Sequence, residues 1–121
     1  MEKETTLVLG ASPNEARYAN MAVRKLRAHG IPVVAVGRHA GSIGDVIIQQ
    51  TIPADVMIHT VTMYLSPQNQ QEWERAVLDL APDRIIFNPG AENPDFARTA
   101  AEEGVDVVEA CTLVMLGTGQ Y

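Results

Sequence analysis

Gly10, Ser12 and Arg17, clustered directly behind the apolar run Leu7-Val8-Leu9, are residue types that together can bind an anion. Glycine lets the chain turn tightly and lets a ligand approach the backbone. If a helix starts here, its free N–H groups attract a phosphate through hydrogen bonds and the helix dipole. The segment Gly10-Ala11-Ser12-Pro13-Asn14-Glu15-Ala16-Arg17-Tyr18 also reads as plain helix initiation, with Ser12 as N-cap, Pro13 at the first helical position and Glu15 completing a capping box. An isolated glycine-x-serine does not separate the two readings. The apolar helical period begins only near Ala19, so residues 13–17 read either as a first turn or as a ligand-facing loop.

Three other groups of chemically useful residues follow apolar runs: Gly37-Arg38-His39, Thr60-Val61-Thr62-Met63-Tyr64 and Asn88-Pro89-Gly90. Of the histidines, His29 falls at a helix C-terminus, where a cation suits the dipole. His39 falls on a loop, and His59 falls within a strand, where it reads as a packed core residue. No carboxylate pair and no Ser-His-Asp set is placed by motif, and the scattered acids and histidines lack metal-ligand spacing. Glu92 reads as a solvated loop residue ahead of Asn93, a helix cap.

These residues need a scaffold, and 121 residues with 46% hydrophobic side chains suffice for one domain, residues 1–121, with its own core. A net charge of −6 disfavours broad attachment to nucleic acid or an anionic membrane, so an anionic ligand must be held by local groups. The single cysteine, Cys111, cannot form an internal disulfide. Met1-Glu2-Lys3-Glu4 leads into a strand without a signal-like apolar region, and no apolar stretch reaches transmembrane length. A cytoplasmic protein is the expectation.

Strand and helix patterns alternate along the chain. After the first strand, Ala19, Ala22, Val23 and Leu26 fall on one helical face, and Gly30 stands where a glycine ends a helix. Residues 31–36 form a second strand, continuously apolar as a strand buried on both faces would be. Val46-Ile47-Ile48 suggests a minor edge strand, and residues 56–61 a third parallel strand with a turn at Thr62-Met63-Tyr64. Ser66-Pro67 opens a second helix that carries Trp73, Ala76, Val77 and Leu80 inward and ends at Pro82. Residues 84–87 supply a fourth strand, Asn93-Pro94 opens a third helix, and residues 105–108 supply a fifth strand. The tail from Cys111 to Leu116 reads as a short last helix, with residues 117–121 fraying or lying on the surface. The pattern predicts an α/β, Rossmann-like three-layer fold with a five-stranded parallel sheet, order 3-2-1-4-5, and helices on both faces.

Such a sheet binds ligands beyond the carboxyl ends of its strands, where the strand order reverses. That rule nominates Gly10, Ala11 and Ser12, then Gly37, Arg38 and His39, then Thr60, Val61, Thr62, Met63 and Tyr64, and finally Pro89 and Gly90. An NAD site needs G-x-G-x-x-G and an acid after the second strand, whereas this chain has one glycine and, after that strand, Arg38 and His39. A cation there suits a phosphorylated ribose, either the 3′-phosphate of coenzyme A or the 2′-phosphate of NADP, though an exposed arginine can equally be solvated. No G-K-[ST] follows Gly10, which excludes a Walker phosphate loop.

Gly10-Ala11-Ser12-Pro13-Asn14-Glu15-Ala16-Arg17 resembles the G-x-S-P-x-x-x-R opening of the small stand-alone CoA-binding proteins, which are related to the CoA-binding domain of succinyl-CoA synthetase α chains. Asn88-Pro89-Gly90-Ala91-Glu92-Asn93, the Ala-rich helix after it, Gly104-Val105-Asp106-Val107-Val108 and the cysteine-containing end also resemble that family, so the likeness spans nearly the whole chain. The resemblance implies a domain that binds coenzyme A or an acyl-CoA, with the pyrophosphate at the turn from Gly10 through Asn14 and the adenosine near the second strand. It assigns Arg17 to a phosphate or to supporting the loop, while Tyr18 stands where many members have proline. It also sets two readings of Cys111 side by side: a buried thiol among Ala110, Leu113 and Val114, or a partner for a mixed disulfide with the ligand. The related ligases carry a phosphorylated histidine on a further domain, for which this chain has no room.

The expectation is therefore a non-catalytic CoA or acyl-CoA binding protein, acting as carrier, sensor or partner subunit, alone or as a homo-oligomer. The alternatives are an NADP(H)-binding oxidoreductase and a protein-interaction module that keeps the fold without the ligand. A carboxylate beside a phosphate is repulsive, so Glu15 should point away from the crevice, and the regular helix should start nearer Tyr18 than Pro13.

Overall fold

The computed structural model describes residues 3–121, so Met1 and Glu2, part of the expected lead-in to the first strand, lie outside the described residues. In chain order the elements are β1 (Thr6–Leu9), α1 (Tyr18–Ala28), β2 (Val33–Val36), β3 (Gly41–Ile43), β4 (Val46–Gln49), β5 (Thr60–Met63), α2 (Pro67–Gln70), a 3₁₀ turn (Gln71–Trp73), α3 (Glu74–Asp79), β6 (Arg84–Phe87), α4 (Pro94–Glu102), β7 (Asp106–Glu109) and α5 (Thr112–Gly117).

The sheet has seven strands in the order β3-β4-β2-β1-β5-β6-β7, and only the β3–β4 pairing is antiparallel. The α/β Rossmann-like architecture is as expected, but the strand count and order are not. The five expected strands run 2-1-3-4-5. The hairpin β3–β4, closed at Gly44 in a left-handed conformation, docks β4 parallel to β2 and takes the flank that the expected order gave to the third strand. The chain then returns to the other side of β1, where β5 pairs with Thr6 through Leu9. Arg27 of α1 anchors the hairpin turn through Asp45 at 2.7 Å, and the hydrogen bond from Arg27 holds the Asp45 carboxyl below its usual range.

β1 is buried along its whole length, as a strand covered on both faces must be. Leu7 and Leu9 point to one face and join Val61, Met63, Ile85, Phe87, Val77 and Phe96. Val8 points to the other and joins Ala19, Val23, Leu26, Ala35, Ile48 and Leu116. Phe87 meets Phe96 edge to face, with centroids 5.9 Å apart, which fastens α4 to the sheet.

Helix α1 begins at Tyr18, as the repulsion argument for Glu15 required, and Glu15 is exposed. The expected second helix is broken into α2, the 3₁₀ turn and α3. The break follows Gln70, whose buried amide donates to the carbonyls of Leu65 and Ala91 at 2.8 Å each and accepts from Asn93. Anchoring to two loops at that point competes with a regular helical run. The third strand is shifted as well: it runs Thr60–Met63 rather than over residues 56–61. Of the two expected courses for the tail the structure shows the second: residues 117–120 lie exposed on the surface, and Tyr121 holds them there. The Tyr121 ring packs 4.6 Å from the Arg84 guanidinium, its hydroxyl pairs with Thr6 Oγ1, and its N–H donates to the Met115 carbonyl at 3.1 Å. Among the described residues, no helix is long and apolar enough to cross a membrane.

Candidate functional site

Strand order reverses between β1 and β5, because the chain leaves β1 towards β2 on one side and continues from β5 to β6 on the other. A cleft of about 460 Å³ opens there, beyond the carboxyl ends of the strands. Its walls are the β1 turn (Gly10, Ala11, Ser12), the start of α1 (Arg17, Tyr18, Ala19), the β2 turn (Arg38, His39), the segment after β5 (Tyr64, Leu65, Ser66, Asn69) and the β6 turn (Pro89, Gly90).

Gly10 is required at its position for two reasons. Its φ of +101° lies in the left-handed region, and a Cβ there would come within 3.2 Å of the Tyr64 backbone and 3.3 Å of the Leu65 nitrogen. The close neighbour is thus the chain itself. The N–H groups of Gly10 and Ala11 both donate to the Val36 carbonyl, at 2.8 and 2.9 Å, so neither is offered to a ligand.

The loop to α1 organises itself through side chains. Ser12 Oγ accepts from the Asn14 N–H at 3.1 Å, Asn14 Oδ1 accepts from the Ala16 N–H at 3.0 Å, and Asn20 Nδ2 donates to the Ser12 carbonyl at 2.9 Å. This ST-turn and Asx-turn pair replaces the capping box, and Asn14 is spent on the loop rather than lining the cleft. Arg17 sits at the N-cap of α1 without a side-chain capping bond. The first turn of α1, which lines the cleft through Arg17, Tyr18 and Ala19, therefore has no side-chain cap among the described residues. Tyr18, 69% exposed, stands at that rim.

Arg38 reaches from the β2 turn across to the segment after β5, with Nη2 3.4 Å from both Asn69 Oδ1 and Glu72 Oε1. Arg17, Arg38 and His39 line the cleft, and among the described residues no carboxylate does. Gly37 is buried and outside the lining; its role is packing against the β1 turn.

Of the five nominated residues from 60 to 64, only Tyr64 lines the cleft. Because β5 ends two residues later than expected, Thr62 and Met63 are strand residues, and both are fully buried. Val61 and Met63 belong to the core. Thr60 lies at the opposite, amino end of the strand, where its hydroxyl meets Arg84 Nε at 3.1 Å. Thr62 joins a buried network under the β6 turn: its Oγ1 lies 2.7 Å from Thr112 Oγ1 and accepts from Asn88 Nδ2 at 2.7 Å, while Asn88 Oδ1 accepts from the Thr112 N–H at 2.9 Å.

The Tyr64 hydroxyl is buried beside Thr62 and Thr112, and neither completes a hydrogen bond with it. Burial, reinforced by nearby Cys111, pushes its pKa up to about 12. Leu65, Ser66 and Asn69 are lining residues that the strand-end rule did not nominate. Ser66-Pro67 was the available signal, since a helix start directly after β5 must border the same crevice.

The sequence placed His59 inside a strand core and no metal-type cluster anywhere. Instead, His59 precedes β5 with its side chain 29% exposed, and Glu4 and Asp83 converge on its Nε2.

The family model described as a CoA binding domain matches residues 4–117. The crystal structure of an uncharacterized protein is similar over 100% of both chains, with 40% identity and a TM-score of 0.95. A protein from Thermus thermophilus is 22% identical over 98% of this chain and 91% of its own, with a TM-score of 0.84. A hypothetical protein from Pyrococcus horikoshii OT3 is also 22% identical, over 97% of this chain and 83% of its own, again at 0.84. These two likenesses establish the fold alone. No curated protein gives a significant match.

Proposed function

This chain belongs to the CoA binding domain family, and we propose that its cleft holds coenzyme A or an acyl-CoA as a non-catalytic binding protein. The observation that carries the reading is electrostatic. In a chain of net charge −6, the cleft at the strand-order reversal is lined by Arg17, Arg38 and His39 and, among the described residues, by no carboxylate.

The pyrophosphate lies between the Gly10-Ala11-Ser12 turn and the first turn of α1. The Gly10 and Ala11 N–H groups already serve Val36, so the donors are the uncapped N–H groups of α1, with Arg17 as counter-charge. The adenosine end lies along the β2 turn, where Arg38 and His39 meet the 3′-phosphate. The thiol arm leaves between Tyr64 and Gly90. Tyr64, whose pKa burial raises to about 12, borders this exit as a neutral side chain.

Thermal melts with coenzyme A, acetyl-CoA, dephospho-CoA, NAD and NADPH test the reading. A ligand that binds only the folded chain stabilises it by about 2.7 kcal/mol at 100 times its Kd. Coenzyme A should raise Tm in a concentration-dependent way. An unchanged Tm with coenzyme A and a raised one with NADPH would assign the cleft to an NADP(H) oxidoreductase instead.

A further inference from the structure

At the end of the sheet opposite the cleft, we propose that Glu4, His59 and Asp83 bind a divalent first-row transition cation such as Zn²⁺. Glu4 lies just before β1, His59 just before β5 and Asp83 just before β6, and these three strands are consecutive neighbours in the sheet. Their backbones are tied where the side chains emerge: the His59 N–H donates to the Thr5 carbonyl at 3.0 Å, and the Asp83 N–H to the His59 carbonyl at 2.9 Å. His59 and Asp83 are therefore anchored to the sheet, and Glu4 directly precedes Thr5, whose carbonyl holds His59.

His59 Nε2 lies 3.2 Å from Glu4 Oε2 and 3.7 Å from Asp83 Oδ2, and the three donor atoms all fall within 4.8 Å of one another. Zinc bonds of about 2.1 Å at tetrahedral angles place neighbouring donors roughly 3.4 Å apart, between the two distances to His59. The imidazole alone satisfies this arrangement poorly. Nε2 carries at most one hydrogen and can give it to only one of the two carboxylates. A cation bonds all three groups at once.

The other side of the ring is held. His59 Nδ1 lies 2.8 Å from Thr60 Oγ1, a buried hydroxyl that also accepts from Arg84 Nε, and this contact aims Nε2 outward at the carboxylates. Lys3, the nearest ammonium in sequence, donates to the His29 carbonyl. Among the described residues, neither carboxylate forms an ion pair with a lysine or arginine. One imidazole and two carboxylates suit zinc, cobalt, nickel or iron better than calcium or magnesium, and both carboxylates are exposed enough for water to complete the coordination.

Calorimetric titration of the untagged full chain with Zn²⁺, paired with the visible absorption of Co²⁺, is the test. The expected result is one saturable equivalent. His59→Ala and Asp83→Asn should each weaken it by more than the roughly 10–100-fold that an outer-shell loss costs, while His29→Ala and His39→Ala leave it unchanged. Circular dichroism checks the fold, and Asp83→Asn with Glu4→Gln decides if His59→Ala does not fold. Absence of saturable binding, binding indifferent to these variants, or binding abolished by His39→Ala or Cys111→Ser would overturn the assignment. Coenzyme A titrations of the Glu4, His59 and Asp83 variants should match the parent, because none of the three lines the cleft, so this site and the cleft stand or fall separately.

Discussion

A methyl group on Gly37 would lie 2.0 Å from the carbonyl oxygen of Ala11, so the β2 turn presses directly against the β1 turn that forms one wall of the cleft. Neither backbone can yield without disturbing the Val36 carbonyl, which accepts from both Gly10 and Ala11. Gly37→Ala is therefore expected to destabilise the chain by about 1–3 kcal/mol, the usual range for overpacking, and to impair ligand binding. Gly117→Ala is the control, because its added methyl would meet only the flexible end of Lys25, at 3.2 Å. Thermal melts with and without coenzyme A read both effects.

Arg38 is shared between the cleft and Glu72, 3.4 Å away, in a contact that is 60% exposed on the arginine side. Arg38→Ala should weaken coenzyme A by roughly 10–100-fold, the loss of one charge-assisted bond, and dephospho-CoA by much less. Glu72→Gln should tighten coenzyme A slightly, by less than about 1 kcal/mol, since exposed ion pairs contribute little. Equal losses for the two ligands in Arg38→Ala would move the 3′-phosphate elsewhere.

Asn88, 2% exposed, links the ends of β5 and α5 through Thr62, the Met63 carbonyl and the Thr112 N–H. Asn88→Ala leaves buried donors and acceptors unmatched, so a loss of about 3 kcal/mol or more is expected by chemical denaturation. A change below about 1 kcal/mol would mean that the surrounding hydroxyls and backbone groups find other partners.

Burial raises the Tyr64 pKa from its ordinary 10.0 to about 12, so the folded chain keeps this proton at pH values where the unfolded chain has lost it. The contribution of the protonated form is complete below pH 10 and is lost as pH rises to about 12. Tyr64→Phe should remove that part of the alkaline decline. At pH 7 it should cost little, because the buried hydroxyl it deletes has no hydrogen-bond partner among the described residues.

Features written in nearest neighbours were legible in the sequence. The apolar runs marked β1, β2, β6 and β7. Asn93 was identified as a helix cap, and its Oδ1 accepts from the Phe96 N–H at 3.1 Å. The expected repulsion between Glu15 and a phosphate agreed with a helix starting at Tyr18. Gly10, Ser12, Arg38 and His39 were nominated by strand ends and Arg17 by the family resemblance, and all five line the cleft.

Strand order was not legible, because parallel strands pair through uniform backbone groups and carry no local mark of their neighbour. Only the folded chain placed β5 beside β1, brought Tyr64 to Gly10, turned Gly37 from a ligand contact into a packing contact and drew Glu4, His59 and Asp83 together. Residue types and local spacing determined which chemistry was available. The choice of strand neighbours, made by burying both faces of the sheet, decided which of those residues share a site.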